Sequence, residues 1–192
     1  MKYPRLLYVA TFVLFSLCAP VESFASPATP PGKRVEIQNS RGLPALNGYL
    51  TRPTIKGDYP AVLILIGSGP GSTDNPTRDY NPFARLAEDL ARNGFASLRI
   101  DKRGTGYNGS TGRYELQSLD DYVADAEDAM RTLSRQSGVR RNGVYLFGHS
   151  LGTLVAARLA AQGQAQGQTA GLILSAGPSG ELLSVMEEQQ IA

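Results

Sequence analysis

The stretch that most constrains this chain is Val144-Tyr145-Leu146-Phe147-Gly148-His149-Ser150-Leu151-Gly152, which runs without a spacer into an Ala- and Leu-rich segment ending near Gln162. The four apolar residues read as a strand buried on both faces. Residues 151–162 read as a helix, with Gly163 to end it. A strand that becomes a helix this quickly must turn a sharp, strained corner. Other backbone passes close to such a corner, and Gly148 and Gly152 remove the Cβ atoms that would collide there. Ser150 then stands clear of the sheet at a helix N-terminus, where free N–H groups and the helix dipole favour negative charge.

The rest of the chain repeats this alternation. Residues 35–38 and 48–51 read as short strands around a Gly-Leu-Pro turn. The continuous apolar run 61–66 reads as a strand covered on both faces. A helix follows with Asn81 as cap, Pro82 in its first turn and Gly94 at its end, its apolar face being Phe83, Leu86, Ala87 and Leu90. Residues 95–100 form the next strand. Ser118 caps a helix over 119–136 whose apolar positions are Leu119, Tyr122, Val123, Ala126, Ala129, Met130 and Leu133. Residues 171–175 give one more strand, and 181–191 an amphipathic stretch. Alternating strands and helices predict an α/β fold with a mainly parallel sheet and helices on both faces. Ligands in such sheets bind at the C-terminal ends of the strands.

Two further loops fall at those ends. Gly67-Ser68-Gly69-Pro70-Gly71-Ser72 follows the strand 61–66. Its backbone can fold inward, and the Ser68 N–H, with Gly69 next in line, can join the Leu151 N–H in holding an oxyanion. Asp101 and Arg103 sit where the strand 95–100 leaves the sheet and read as an ion pair or hydrogen-bond clasp that shapes the loop. Gly104-x-Gly106-x-x-Gly109 matches the dinucleotide fingerprint in letters, but the following helix starts only near Leu119 and the next strand ends in Gly148 rather than an acid. The nucleotide reading is therefore set aside. His149, the single histidine, adjoins Ser150, so its ring should project away from the hydroxyl and pack structurally.

The N-terminus carries Lys2 and Arg5, an apolar run over 6–19, and Ser23-Phe24-Ala25. That is the pattern of a secretory signal peptide over residues 1–25, cleaved after Ala25, with a flexible leader over 26–34 and the folded unit over 35–192. It predicts a secreted or periplasmic protein with no stable membrane span after cleavage. Leu17 before Cys18 departs from a lipidation motif. The net charge of +2, spread without a basic stripe, argues against nucleic acid as a partner.

These residues together resemble secreted α/β-hydrolases of the serine aminopeptidase-like (S33) group. The resemblance spans residues 61–189 and rests on Gly67-Ser68-Gly69-Pro70-Gly71, Asp101-Lys102-Arg103-Gly104-Thr105-Gly106, Gly148-His149-Ser150-Leu151-Gly152 and Leu172-Ile173-Leu174-Ser175-Ala176-Gly177-Pro178. It implies hydrolysis of a small ester or short peptide through a Ser150 acyl-enzyme, without metal or organic cofactor. In such enzymes the acid and the histidine follow the serine. Here Glu181, Glu187 and Glu188 follow it, on a segment that reads as the start of a lid over 181–192, and no histidine does. The expectation is therefore an incomplete α/β-hydrolase fold, truncated before the triad acid and histidine and impaired in turnover. The alternative is a non-catalytic binding protein on the same fold. Lys102, the nearest lysine, could serve as a base only if desolvated, and nothing in its local sequence marks an apolar setting. The sequence sets no oligomeric state.

Overall fold

The apolar runs become the middle of one sheet. The computed structural model describes residues 32–70, 72–73, 81–162 and 169–178. The segments expected as signal peptide (1–25) and as start of a lid (181–192, with Glu181, Glu187 and Glu188), together with Cys18 and Gly71, lie outside the described residues. Strands β1 (Lys33–Ile37), β2 (Leu46–Thr51), β3 (Tyr59–Leu65), β4 (Ala96–Ile100), β5 (Val139–His149) and β6 (Thr169–Ser175) alternate with helices α1 (Pro82–Arg92), α2 (Leu119–Ser134) and α3 (Leu151–Ala161) from β3 onward. The spatial order is β1-β2-β4-β3-β5-β6. β1, β2 and β4 pair antiparallel, while β4, β3, β5 and β6 run parallel.

The connections fix the layers. From β3 the chain steps to β4 in one direction across the sheet, and from β4 to β5 and β5 to β6 in the other. Right-handed crossovers in opposite directions put their helices on opposite faces, so α1 covers one face and α2 with α3 the other. Ala61, Leu63, Ile64 and Leu65 of β3 are fully buried. Tyr122, Val123, Ala126, Ala129, Met130 and Leu133 form the buried face of α2, as their spacing predicts. The helix starts on a capping box: Ser118 Oγ accepts the Asp121 N–H, and the Asp121 carboxylate accepts the Ser118 N–H.

The structure differs from the sequence reading in three places. β1 starts at Lys33, inside the segment expected as leader, because Lys33 and Arg34 pair with Leu50 and Tyr49; backbone pairing at a charged edge strand overrides composition. β5 begins at Val139, with Arg140, Arg141 and Asn142 forming an exposed extension before the apolar run. Asn81 occupies the N-cap of α1 without a side-chain capping bond, and the buried side chains of that helix are Ala84 and Ala87. At the other edge, Leu172, Ile173 and Leu174 of β6 are exposed.

Candidate active site

The loops leaving β3 and β5 turn to opposite faces of the sheet, which opens a crevice between their C-terminal ends. Ser150 sits there, between β5 and α3, with φ 52° and ψ −123°. That is a left-handed, sparsely populated backbone for a residue with a Cβ, and it costs on the order of 1–3 kcal/mol. Three contacts hold it. The Ser150 N–H donates to the Ser175 carbonyl at the end of β6 (3.0 Å), and the Ser150 carbonyl accepts the Thr153 N–H (2.9 Å) and the Thr153 hydroxyl (2.7 Å). The flanking glycines are needed for close approach. A Cβ on Gly152 would collide with the Leu65 carbonyl, and one on Gly148 with the Gly152 carbonyl.

Leu151 is the first residue of α3, so its N–H has no acceptor within the helix. The Gly67–Ser68 segment lies directly opposite Ser150. A Cβ on Gly67 would stand 2.9 Å from Ser150 Cβ and 3.4 Å from Ser150 Oγ. Thus the structure brings Ser150, Leu151, Gly67 and Ser68 to one place. Gly69, second in line as an oxyanion donor, is engaged elsewhere: its N–H donates to the Tyr114 hydroxyl at 2.7 Å.

Two tyrosines and a lysine fasten this loop, and sequence reasoning missed all three contacts. Tyr122 Oη accepts the Ile66 N–H (3.0 Å) and donates to the Ile66 carbonyl (3.2 Å), one residue past the last residue of β3 that pairs with β5. Tyr122 had shown only as an apolar position on α2. Lys102 Nζ donates to the Gly67 carbonyl. The side chain is not in an ordinary polar setting, contrary to expectation: Lys102 is only 3 % exposed, and Nζ lies 5.3 Å from the Tyr114 ring centre and 5.7 Å from that of Tyr122. Burial pulls its ammonium down to about 8, against an opposing pull from Asp101.

Asp101 and Arg103 act as clasps, but separately rather than as a pair. Asp101 accepts the Thr73 N–H (2.6 Å), the Thr73 and Ser72 hydroxyls (2.8 and 2.9 Å) and the Tyr107 N–H (3.0 Å). Arg103 forms its ion pair with Asp125 of α2 at 2.9 Å and also donates to the Pro44 carbonyl. The glycines of the dinucleotide-like stretch have a local reason. A Cβ on Gly106 would strike the Asp101 carboxylate, and one on Gly104 the Tyr114 backbone nitrogen. A short 3-10 turn, Gly106–Asn108, follows rather than a helix.

His149 is half-buried and packs edge-to-face on Phe83, with ring centres 5.7 Å apart. Among the described residues no group of three or more His, Cys, Asp or Glu is arranged to hold a metal ion, and no helix is long and apolar enough to cross a membrane.

A profile of the family described as serine aminopeptidase, S33, matches residues 77–182. The chain is 32 % identical over 148 residues to the esterase EstD of Thermotoga maritima, covering 77 % of this chain and 33 % of that protein. It is 36 % identical over 150 residues to an uncharacterized protein of Mycobacterium tuberculosis, covering 78 % of this chain and 48 % of the other. The chain thus spans between a third and a half of these relatives. The crystal structure of the α/β-hydrolase GrgF from a Penicillium species superposes with a TM-score of 0.62 at 21 % identity, over 77 % of this chain and 46 % of that one.

Proposed function

Because this chain belongs to the serine aminopeptidase S33 family, we propose that it acts on small carboxylic esters through an acyl-enzyme on Ser150. Ser150 Oγ attacks the acyl carbonyl, and its proton passes to solvent or to a base. The carbonyl oxygen becomes an oxyanion, held by the Leu151 and Ser68 N–H groups. Collapse expels the alcohol and leaves the acyl group on Ser150, and water then releases the acid. The mechanism draws on one hydroxyl and on backbone dipoles, with no metal or organic cofactor. The observation that carries the reading is the strained Ser150 backbone, aimed from a helix N-terminus at the Gly67–Ser68 peptide. Gly67, Gly69, Gly148 and Gly152 supply the clearances and turns, and Asp101 and Arg103 anchor the loop behind them.

We also propose that turnover by these 192 residues is slow. Their single histidine packs on Phe83, and no imidazole meets Ser150 among the described residues. An oxyanion hole without its full triad still accelerates acyl transfer by about 10³–10⁴ over water in the worked serine-protease case. The second reading is a binding protein that keeps the fold without catalysis. The N-terminal pattern supports export to the periplasm or beyond.

The test uses p-nitrophenyl acetate and an aminoacyl p-nitroanilide, with the chain and its Ser150→Ala variant. Expected is a release of nitrophenol close to one equivalent, then a slow steady phase, with the anilide left intact. Equal nitrophenol release by Ser150→Ala and the unaltered chain would favour the non-catalytic reading.

A further inference from the structure

Lys102 is a buried cation for which the acyl-transfer steps above have no use. It leaves the C-terminal end of β4, Gly67 leaves that of β3 and Ser150 that of β5, and β3 lies between the other two strands. The Gly67–Ser68 peptide is therefore flanked by Lys102 on one side and Ser150 on the other. A trans peptide is planar, with its C=O and N–H on opposite edges. Lys102 Nζ holds the Gly67 oxygen from the β4 side, so the N–H of the same peptide, that of Ser68, is turned to the β5 side. That is where Ser150 lies against Gly67.

We propose that Lys102 is a positioning residue for the oxyanion hole: its ammonium grips the Gly67 carbonyl and so fixes and polarises the Ser68 N–H toward the acyl oxygen on Ser150. This deepens the Ser150 reading and rests on it. Placing a charge on the acceptor end of a peptide draws electrons from its N–H, and charge-assisted bonds are roughly twice as strong as neutral ones. The site also keeps the ammonium from swinging away. The Tyr114 and Tyr122 rings lie beside it, and each tyrosine hydroxyl holds the same loop, at Gly69 and Ile66. The charged and titratable groups around it are Asp101, Tyr114 and Tyr122, the Arg103–Asp125 pair, and His149 on the far side of Gly67. Asp101 spends its carboxylate on Ser72, Thr73 and Tyr107.

The experiment follows the Ser68 amide by nitrogen–proton correlation NMR between pH 6.5 and 9.5, together with the rate of Ser150 labelling by a fluorophosphonate. The variants are Lys102→Met, Lys102→Arg and Ser150→Ala. In the unaltered chain the Ser68 resonance should shift with a midpoint near the about 8 of Lys102. It should stay flat in Lys102→Arg, whose guanidinium keeps its charge across this range. Labelling should fall about tenfold or more in Lys102→Met, since loss of one whole oxyanion donor costs about 10²–10³. Lys102→Arg should restore it to within about threefold and keep it level above pH 8, where the unaltered chain declines. A Ser68 resonance that ignores the titration overturns the proposal, as does a folded Lys102→Met chain that labels at the full rate. If Lys102→Met does not fold, Lys102→Arg and the pH profile still decide. If no variant labels at Ser150, the nucleophile reading falls and the catalytic purpose of the clamp with it. The Ser68 titration alone then decides whether Lys102 holds the loop.

Discussion

Replacing Tyr122 by Phe removes one oxygen from the interior and changes almost nothing in shape. Tyr122 is 3 % exposed, and its hydroxyl serves both backbone groups of Ile66, itself buried. The register of β3 against β5 ends at Leu65 opposite Gly148, one residue before Ile66. Without the hydroxyl, a buried donor and a buried acceptor both lose this bond, at about 1–3 kcal/mol for each group left unsatisfied. Some relaxation is shared, because one side chain supplied both bonds. The expected loss is about 2–4 kcal/mol, a large part of the roughly 5–15 kcal/mol that holds a typical domain. Urea unfolding followed by circular dichroism should show a lower midpoint with an unchanged slope. Tyr114→Phe gives the internal comparison. It frees only the Gly69 N–H, on a partly exposed loop, and should cost about 1 kcal/mol. A Tyr122→Phe chain within about 0.5 kcal/mol of the original would refute the claim that this hydroxyl closes the end of β3.

Other predictions follow from the same geometry. Ser150→Gly should raise thermal stability by about 1–2 kcal/mol, because the φ of 52° no longer strains a Cβ, while abolishing labelling. Arg103→Met removes the buried one of the two arginines on Asp125, with Arg41 left at 3.0 Å, and should cost about 1–3 kcal/mol in urea, above the effect of removing an exposed arginine such as Arg113. Lys102 titrates at about 8 in the folded chain against 10.5 ordinarily, so above pH 8 the unfolded chain holds more protons and stability rises with pH. Between pH 7.5 and 9.5 the unaltered chain should gain on the order of 2 kcal/mol relative to Lys102→Met, read as the difference between their unfolding curves. A constant difference would contradict the burial of the ammonium.

The corner at Ser150 was legible because its requirements are local. A strand, two glycines and a helix within a few residues leave few ways to fold, and the alternation around them sets the sheet and its layers. The buried face of α2 was legible for the same reason, since period and spacing specify it. Lys102 was not legible. The rings that desolvate it come from Tyr114 and Tyr122, far along the chain, and the neighbours in sequence are polar. Arg103 reaches Asp125, on a helix whose orientation only the crossover decides, so proximity in sequence suggested Asp101 instead. The start of β1 was hidden because its pairing with β2, not its charged residues, makes it a strand.

The central claim is that Ser150 is an acyl-accepting nucleophile. The most direct measurement is the intact mass of the chain after prolonged exposure to a fluorophosphonate, followed by peptide mapping. A single adduct is expected, located on Ser150 in the peptide containing Gly148 and Gly152, and none in Ser150→Ala. A chain that stays unmodified at saturating probe, or carries its adduct on another residue, would contradict it.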